Sequence, residues 1–388
     1  MRLFFQELKR ISKSLIFFGL VIAFVLALTS QLGFDSHEFK EPDPHQEYHG
    51  HYLTDDLSYI YPNLMSDLQS SVDSNHFATY PYGFYREKNL EQDEIDVIKE
   101  IMVDLTGLPY EEINVNSLTN IPDREKLETQ LDKIDAIIGG GSFYAKDEYQ
   151  VHFGNKGMTY EDALADYKLI QENGYDVAFA RYFCDYAGIF ALLLSWFIGL
   201  YVWNKDRKEG IAHTIFVKQV SSQKLILTRI IAMSLALLFI VLVVFTYYEI
   251  KLLMMYGLAL LNPLKAYILV IMWVFPIILF VVSLSSFLTI ATNSILLGFL
   301  GPIFSMVYLM SSSANIFYNV GYGLLLRYNT VGNEAYFLSK LNTFLASRAI
   351  WLAISIFLII ITTFVYERRR RGFHAFKNKI SVKRRAKA

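Results

Sequence analysis

Long apolar runs constrain the fold of this chain more than any other feature of its 388 residues. A helix that crosses the roughly 30 Å hydrocarbon core of a bilayer needs about 20 apolar residues. The sequence offers six such runs, at 14–34, 186–203, 225–247, 266–288, 293–311 and 348–366. We therefore expect an α-helical polytopic membrane protein with six transmembrane helices.

Charge divides the sequence into two parts. Residues 34–180 hold 30 acidic and 10 basic side chains, a net charge of −20, whereas the rest holds 7 acidic and 26 basic ones, a net charge of +19. Basic residues cluster before the first apolar run, between the second and third, and in the tail at 367–388. Six spans place all three clusters on one side of the membrane, which is the cytoplasmic side by the preference of Lys and Arg. We expect a cell-membrane protein with both termini in the cytoplasm and residues 35–180 outside the cell.

The first apolar run also has the basic start of a cleaved signal peptide. Its apolar core is long, and no small-x-small cleavage site follows it. These features favour a membrane anchor at 14–34.

Apolar residues recur at helical spacing in several stretches outside the spans. Residues 1–13 combine this spacing with basic side chains, which predicts an amphipathic helix lying in the membrane interface. The stretches 90–108, 124–138 and 159–174 predict helices of the extracellular domain, whereas 35–85 predicts loops with short elements. The domain is expected to be mainly helical and to rely on its own core, because a single cysteine excludes an intrachain disulfide.

A glycine-rich stretch, GGGS at 139–142, raises the possibility of a nucleotide-binding loop. A P-loop needs Lys and Ser or Thr at its end to meet the phosphates and the magnesium ion, and the chain has no Gly-Lys dipeptide. The stretch is therefore interpreted as a flexible turn after a helix, and the chain is expected to be no ATPase.

Histidines and carboxylates alternate in the stretch HEFKEPDPHQEYHGHY at 37–52. The residues that could ligate zinc are His37, Glu41, Asp43, His45, Glu47, His49 and His51. The same composition is typical of a solvated segment beside a membrane. We favour the solvated segment and assign no metal site, but the sequence leaves binding at His45–His51 open.

The predicted spans contain almost no ionisable side chains. Arg229 lies one turn into the third span, where its side chain can reach the inner surface, and Glu249 lies beyond the outer end of that span. Ion-coupled carriers usually keep charged groups within their spans. The pattern therefore argues against a proton- or sodium-driven carrier.

The loop between the second and third runs, NKDRKEGIAHTIFVKQVSSQKLILTR at 204–229, has an amphipathic centre. Written as a helix over 209–220, it places Ile211, Ile215 and Phe216 on one face, and Val220 continues that face. Such a helix could pack its apolar face against the bilayer surface or against a soluble partner.

The order of residues in this loop resembles that of type-2 ABC transporter permeases. The resemblance rests on Asp206-Arg207-Lys208-Glu209-Gly210, the apolar face that follows, Ser221-Ser222, and the basic Arg229. Gln219 stands where the family often has proline, and Thr228-Arg229 replaces its usual Gly-Lys. The large segment between the first two spans is similar to one bacterial branch of the family.

The resemblance implies the membrane subunit of a bacterial ABC exporter for a peptide, lipid-like or drug-like substrate. It implies a coupling helix that docks on a separate ATPase subunit through Arg207, Glu209, Gly210, Ile211, Ile215, Phe216 and Val220. It further implies two ATPase copies that bind ATP and magnesium, and a second permease chain, identical or related. No catalytic residue, cofactor or nucleic-acid partner is expected of this chain itself.

A second interpretation comes from a different class of protein. The chain could be a membrane-anchored sensor or assembly protein whose acidic extracellular domain binds a ligand. The shortage of charge within the spans suits this alternative equally well.

Overall fold

A computed structural model describes residues 2–33, 39–81, 85–114, 118, 120–146, 148–208, 220–292, 294, 296–311 and 319–371. Its helices are α1 (Arg2–Ser12), α2 (Leu15–Leu32), α3 (Leu57–Ser74), α4 (Gln92–Thr106), α5 (Arg124–Ile138), α6 (Tyr149–Phe153), α7 (Tyr160–Asn173), α8 (Tyr175–Lys208), α9 (Ser222–Tyr256), α10 (Pro263–Thr292), α11 (Leu296–Ser311), α12 (Glu334–Ser339) and α13 (Leu341–Arg370). Its strands are β1 (His51–Leu53), β2 (Phe77–Thr79), β3 (Arg86–Lys88) and β4 (Asn155–Gly157).

Five helices of the described residues are long and apolar enough to cross a membrane, namely α2, α8, α9, α10 and α13. The prediction of an α-helical polytopic membrane protein is therefore confirmed. The run at 293–311 corresponds to α11, which has 16 residues. At 1.5 Å per residue it is about 24 Å long, shorter than the five helices named above.

The long helices pack into one bundle with α10 near its centre. Helix α10 contacts α8, α9, α11 and α13. Its side chains Trp273, Val274 and Ile277 are fully buried. A helix that is apolar on all sides suits this central place, because no side of it has to meet water.

Hydrogen bonds show which helix ends lie together. At one end, which we call the basic end, Arg10 of α1 and Arg229 of α9 bind Asp206 of α8, and Arg369 of α13 donates to the carbonyl of Ile290 in α10. This end is therefore shared by α1, α8, α9, α10 and α13.

The opposite end of the bundle, which we call the far end, holds the first turns of α8. Asn262, which precedes α10, donates its backbone N–H to Asp176 at 2.7 Å. Arg181 and Asp185 pair with Glu334 and Arg327, so residues 319–339 also lie at the far end.

Helix α11 packs tightly against α8. Trp196 donates from its indole nitrogen to the hydroxyl of Ser305 at 2.8 Å. A Cβ atom at Gly301 would lie 2.4 Å from the indole ring of Trp196. Glycine is therefore required at 301 for the two helices to approach this closely.

We expect Gly301→Ala to destabilise the protein by about 1–3 kcal/mol, because its methyl group would force Trp196 and α11 apart. The measurement is thermal unfolding in detergent. Gly19→Ala is the matched control, since a Cβ at that helical glycine meets no atom within 4 Å. Equal melting temperatures for the two variants would contradict the close packing of α11 on α8.

A second hydrophobic core lies outside the bundle and is built by α3, α4, α5 and α6. Its fully buried members include Ile60, Leu64, Ile98, Leu127 and Leu131. Two antiparallel strand pairs, β1 with β4 and β2 with β3, border it. Helix α7, by contrast, contributes Ile170 to the core of the bundle.

The three helices predicted from periodicity in this region are confirmed as α4, α5 and α7. Gly107 ends α4 in the left-handed conformation, and the Thr159 hydroxyl caps α7 by accepting from the N–H of Asp162. The glycines after α5 form the predicted turn, which is held in place because the carboxylate of Asp135 accepts from the N–H and the hydroxyl of Ser142, each at 2.7 Å.

The prediction of loops and short elements over residues 35–85 is wrong for α3, an 18-residue helix. Pro62 within that stretch argued against a helix, but the buried residues Ile60, Leu64 and Leu68 recur at every fourth position. The Asp56 carboxylate caps the helix by accepting from the N–H of Ser58, and hydrogen bonds from the side chain and the N–H of Ser58 lower the pKa of Asp56. Burial of one side of α3 in the second core outweighs the hydrogen bond that Pro62 cannot donate.

The histidine stretch does not assemble a metal-ligand cluster in the parts of the chain that the structure describes. His51 accepts or donates a hydrogen bond with the Tyr48 hydroxyl at 2.8 Å. The ring of His49 lies 5.8 Å from that of Tyr160. His37 lies outside the described residues.

Candidate functional site at the basic end of the bundle

The predicted coupling helix at 209–220 lies outside the described residues except for Val220. The predicted docking residues outside the described part are Glu209, Gly210, Ile211, Ile215 and Phe216. Arg207 belongs to the last turn of α8. The structure does describe the chain on both sides of this segment. We call the last turns of α8, up to Lys208, the first stem, and residues 220–222 at the start of α9 the second stem.

The first stem is held by four charged side chains that form one network. Arg229 donates from Nε to Glu7 at 3.0 Å and from a terminal nitrogen to Asp206. Arg10 donates to the other oxygen of Asp206 at 2.8 Å and lies 3.6 Å from Glu7. Two guanidinium groups and two carboxylates thus balance one another and join α1, α8 and α9.

This network is buried. The side chains of Arg229, Asp206 and Glu7 are 3%, 5% and 7% exposed, and only Arg10, at 29%, meets solvent. The guanidinium of Arg229 also lies 4.9 Å from the ring of Trp203. Breaking a buried ion pair leaves an uncompensated charge, which costs about 3–5 kcal/mol, so the network fixes the first stem firmly.

The second stem is held by the last turn of α13. Arg370 donates to the carbonyl of Val220 at 2.6 Å, and the hydroxyl of Ser222 donates to Glu367. Glu367 also accepts from Arg371 at 3.0 Å. Ser221 caps α9 by accepting from the N–H of Lys224.

The two stems therefore connect the segment 209–219 to α1, α8, α9 and α13 at once. A displacement of this segment would act on all four helices, because charged contacts and not only the chain itself join them. The arrangement can transmit movement between a body bound at the basic end and the membrane-spanning helices.

Sequence reasoning found only part of this site. Arg229 was expected to reach the inner surface, but it is buried because Glu7 and Asp206 satisfy its charge inside the bundle. A signal for Glu7 exists in the sequence. It is the one acidic residue of the first helix, and it falls on the apolar stripe between Phe4 and Ile11.

The far end carries a second buried network. Arg181, which is fully buried, pairs with Glu334 and donates to the carbonyl of Val331 at 2.8 Å. Asp166 of α7 accepts from the backbone N–H groups of Asn333 and Glu334, each at 2.7 Å. The network joins the middle of α7, the start of α8 and the segment before α12.

The apolar runs themselves contain almost no charge, as expected, with Arg229 and Arg348 near their ends. The membrane-spanning helices extend further than the apolar runs, and their ends bury Arg181, Asp185, Asp206, Glu249 and Arg348. Hydropathy missed these residues because each sits at the margin of a run. Side chains or carbonyl groups from other segments bind Arg181, Asp185, Asp206 and Arg348 there. The argument against an ion-driven carrier loses this support.

Comparison of the chain with protein-family models, with curated proteins and with solved structures finds no match.

Proposed function

We propose that this chain is the membrane subunit of an ATP-driven exporter, with a separate ATPase subunit bound at the basic end of the bundle. The observation that carries the proposal is the network at the first stem of segment 209–219, formed by Glu7, Arg10, Asp206 and Arg229. A loop that receives force from an ATPase has to be fixed to the spans it moves, and this network supplies that fixation. The order of residues in the segment resembles the coupling helix of type-2 ABC permeases.

Six membrane crossings are supported by the positions of the helix ends. Helix α10 ends beside Arg369 at the basic end, whereas residues 319–334 lie at the far end beside Arg181 and Asp185. The chain between them passes through α11, which packs along α8 at Trp196. With α11 as a crossing, α1 and the last turn of α13 share one side, which the basic residues assign to the cytoplasm.

This topology puts the acidic domain of residues 35–180 outside the cell. Helix α8 then runs for 34 residues, about 51 Å, from that domain to the coupling segment. We propose that ATP binding in the partner moves the coupling segment and that α8 and α9 carry the movement across the membrane. Export of a peptide, lipid-like or drug-like compound through a pair of such chains follows from the same assignment.

We expect Glu209→Ala combined with Ile215→Ala to abolish retention of the ATPase when the full-length chain is purified from its own membrane. The pair removes a charge and a large apolar side chain from the predicted docking face. Bound ATPase is measured as ATP hydrolysis and as subunit mass in the eluate. We expect a loss of at least about tenfold, which corresponds to about 1.4 kcal/mol of binding free energy.

Lys13→Gln combined with Leu15→Ala is the matched control. It removes one charge and one exposed apolar side chain at the start of α2, outside the coupling segment. Retention of the ATPase by both double variants would contradict the coupling assignment. Wild-type chain that retains no ATPase, but binds a ligand through its acidic domain, would favour the sensor alternative.

A further inference from the structure

A groove of about 730 Å³ runs between the start of α9 and the end of α13. Its wall at membrane depth is apolar and open to the bilayer, because Leu227, Ile356, Ile360 and Phe364 are 51–61% exposed. The volume falls within the range of about 300–1,000 Å³ that is typical of small-molecule sites. An apolar molecule in the bilayer has direct access to this groove.

The mouth of the groove at the basic end is polar and positively charged. Arg370 and Arg371 line it together with Ser222 and Glu367. Arg371 is 70% exposed, and its guanidinium has five N–H donors. One of them, at Nε, donates to Glu367. The two arginines and the single carboxylate give the mouth a net charge of +1, so the mouth attracts an anion.

The length of the groove matches one leaflet. Ile356 precedes Arg371 by 15 positions, which is about 22 Å along a helix. Half of a bilayer with its headgroup regions included, which is about 40–45 Å thick, is about 20–22 Å. A ligand with its anionic group between Arg370 and Arg371 would therefore lay an apolar chain along α13 within a single leaflet.

The geometry points to a binding site for an anionic phospholipid, with its phosphate at Arg370 and Arg371 and one acyl chain along Leu227, Ile360 and Phe364. Basic pockets between membrane helices recognise anionic headgroups by charge and hydrogen bonding. A second copy of this chain fits less well. Two-fold pairing through the same groove would bring two sets of arginines together, and like charges repel.

The lipid would contact Ser222 and Arg370, which hold the second stem of segment 209–219. A bound anionic lipid would therefore strengthen the contacts through which α13 holds this stem. The inference depends on the bundle lying in a membrane and is independent of the ATPase proposed above.

The test uses the full-length chain reconstituted in equal amounts of phosphatidylglycerol and phosphatidylcholine. Lipids that remain bound after detergent extraction are counted by native mass spectrometry. We expect wild-type protein to retain phosphatidylglycerol preferentially. Arg371→Gln should lower that preference about fivefold, equivalent to the roughly 1 kcal/mol that one basic side chain contributes. Ile360→Trp, which fills the groove without changing charge, should remove the retained lipid.

Lys13→Gln is the control for general surface charge, because it removes one exposed basic group between α1 and α2, outside the groove. Equal retention of the two lipids by wild-type protein would overturn the proposal. So would equal losses in Arg371→Gln and Lys13→Gln. A dimer that Ile360→Trp dissociates without any lipid dependence would assign the groove to a second copy of the chain instead.

Discussion

Replacing Arg229 with glutamine is expected to destabilise the helix bundle by about 3–5 kcal/mol. Glu7 and Asp206 would stay buried with one guanidinium between them instead of two. Unfolding in detergent can be followed by tryptophan fluorescence, since Trp203 lies against Arg229. We expect a clearly lower melting temperature and an earlier fluorescence change.

The charge balance of the network supplies the internal control. Combining Arg229→Gln with Asp206→Asn leaves Glu7 facing Arg10, one acid and one base, so much of the lost stability should return. Lys13→Gln removes an exposed positive charge at the same end and should leave the melting temperature unchanged. An Arg229→Gln protein that melts with the wild type would show that the network contributes no stability. Further destabilisation by Asp206→Asn would contradict charge imbalance as the cause of the loss.

The expected location of this network follows only partly from the sequence. Apolar runs predicted the membrane class, because they depend on residues close together in the chain. The pairing of Glu7 with Arg229 joins positions 222 residues apart. Hydropathy cannot find such a pair, since it treats each charge as solvated until a partner from another helix is known.

The sequence did not predict helix α3, and the reason is different. Pro62 and the acidic, tyrosine-rich composition of residues 35–85 favour loops when each residue is weighed alone. The helix forms because Ile60, Leu64 and Leu68 are fully buried against the other helices of the second core. Tertiary burial overrode local preference there, whereas α4, α5 and α7 had local preference and periodicity in agreement.

A second large effect is expected at the far end, where Arg181→Gln should also cost about 3–5 kcal/mol. Glu334, which is 1% exposed, would lose the guanidinium that balances it. The pair holds the segment that carries Asn333 against Asp166 of α7. Hydrogen exchange over residues 319–339 should therefore rise in this variant, in addition to the fall in melting temperature.

Arg181→Met combined with Glu334→Leu should recover most of this loss. Apolar side chains suit the space beside Phe337, whose ring lies 4.8 Å from the guanidinium, and the double change leaves no uncompensated charge. Lys265→Gln, an exposed basic residue at the same end, is the control and should have little effect. A double variant no more stable than Arg181→Gln alone would contradict the role of the ion pair.

The two networks lie at opposite ends of α8, so their contributions to stability can be measured separately. Arg181 and Asp206 are 25 positions apart, about 38 Å along the helix. Sites so far apart without shared partners usually have additive effects on stability, so Arg181→Gln and Arg229→Gln together should lose the sum of the single losses. Exchange should rise over residues 319–339 only when Arg181 is replaced. A combined loss well below the sum would mean that α8 couples the stabilities of its two ends.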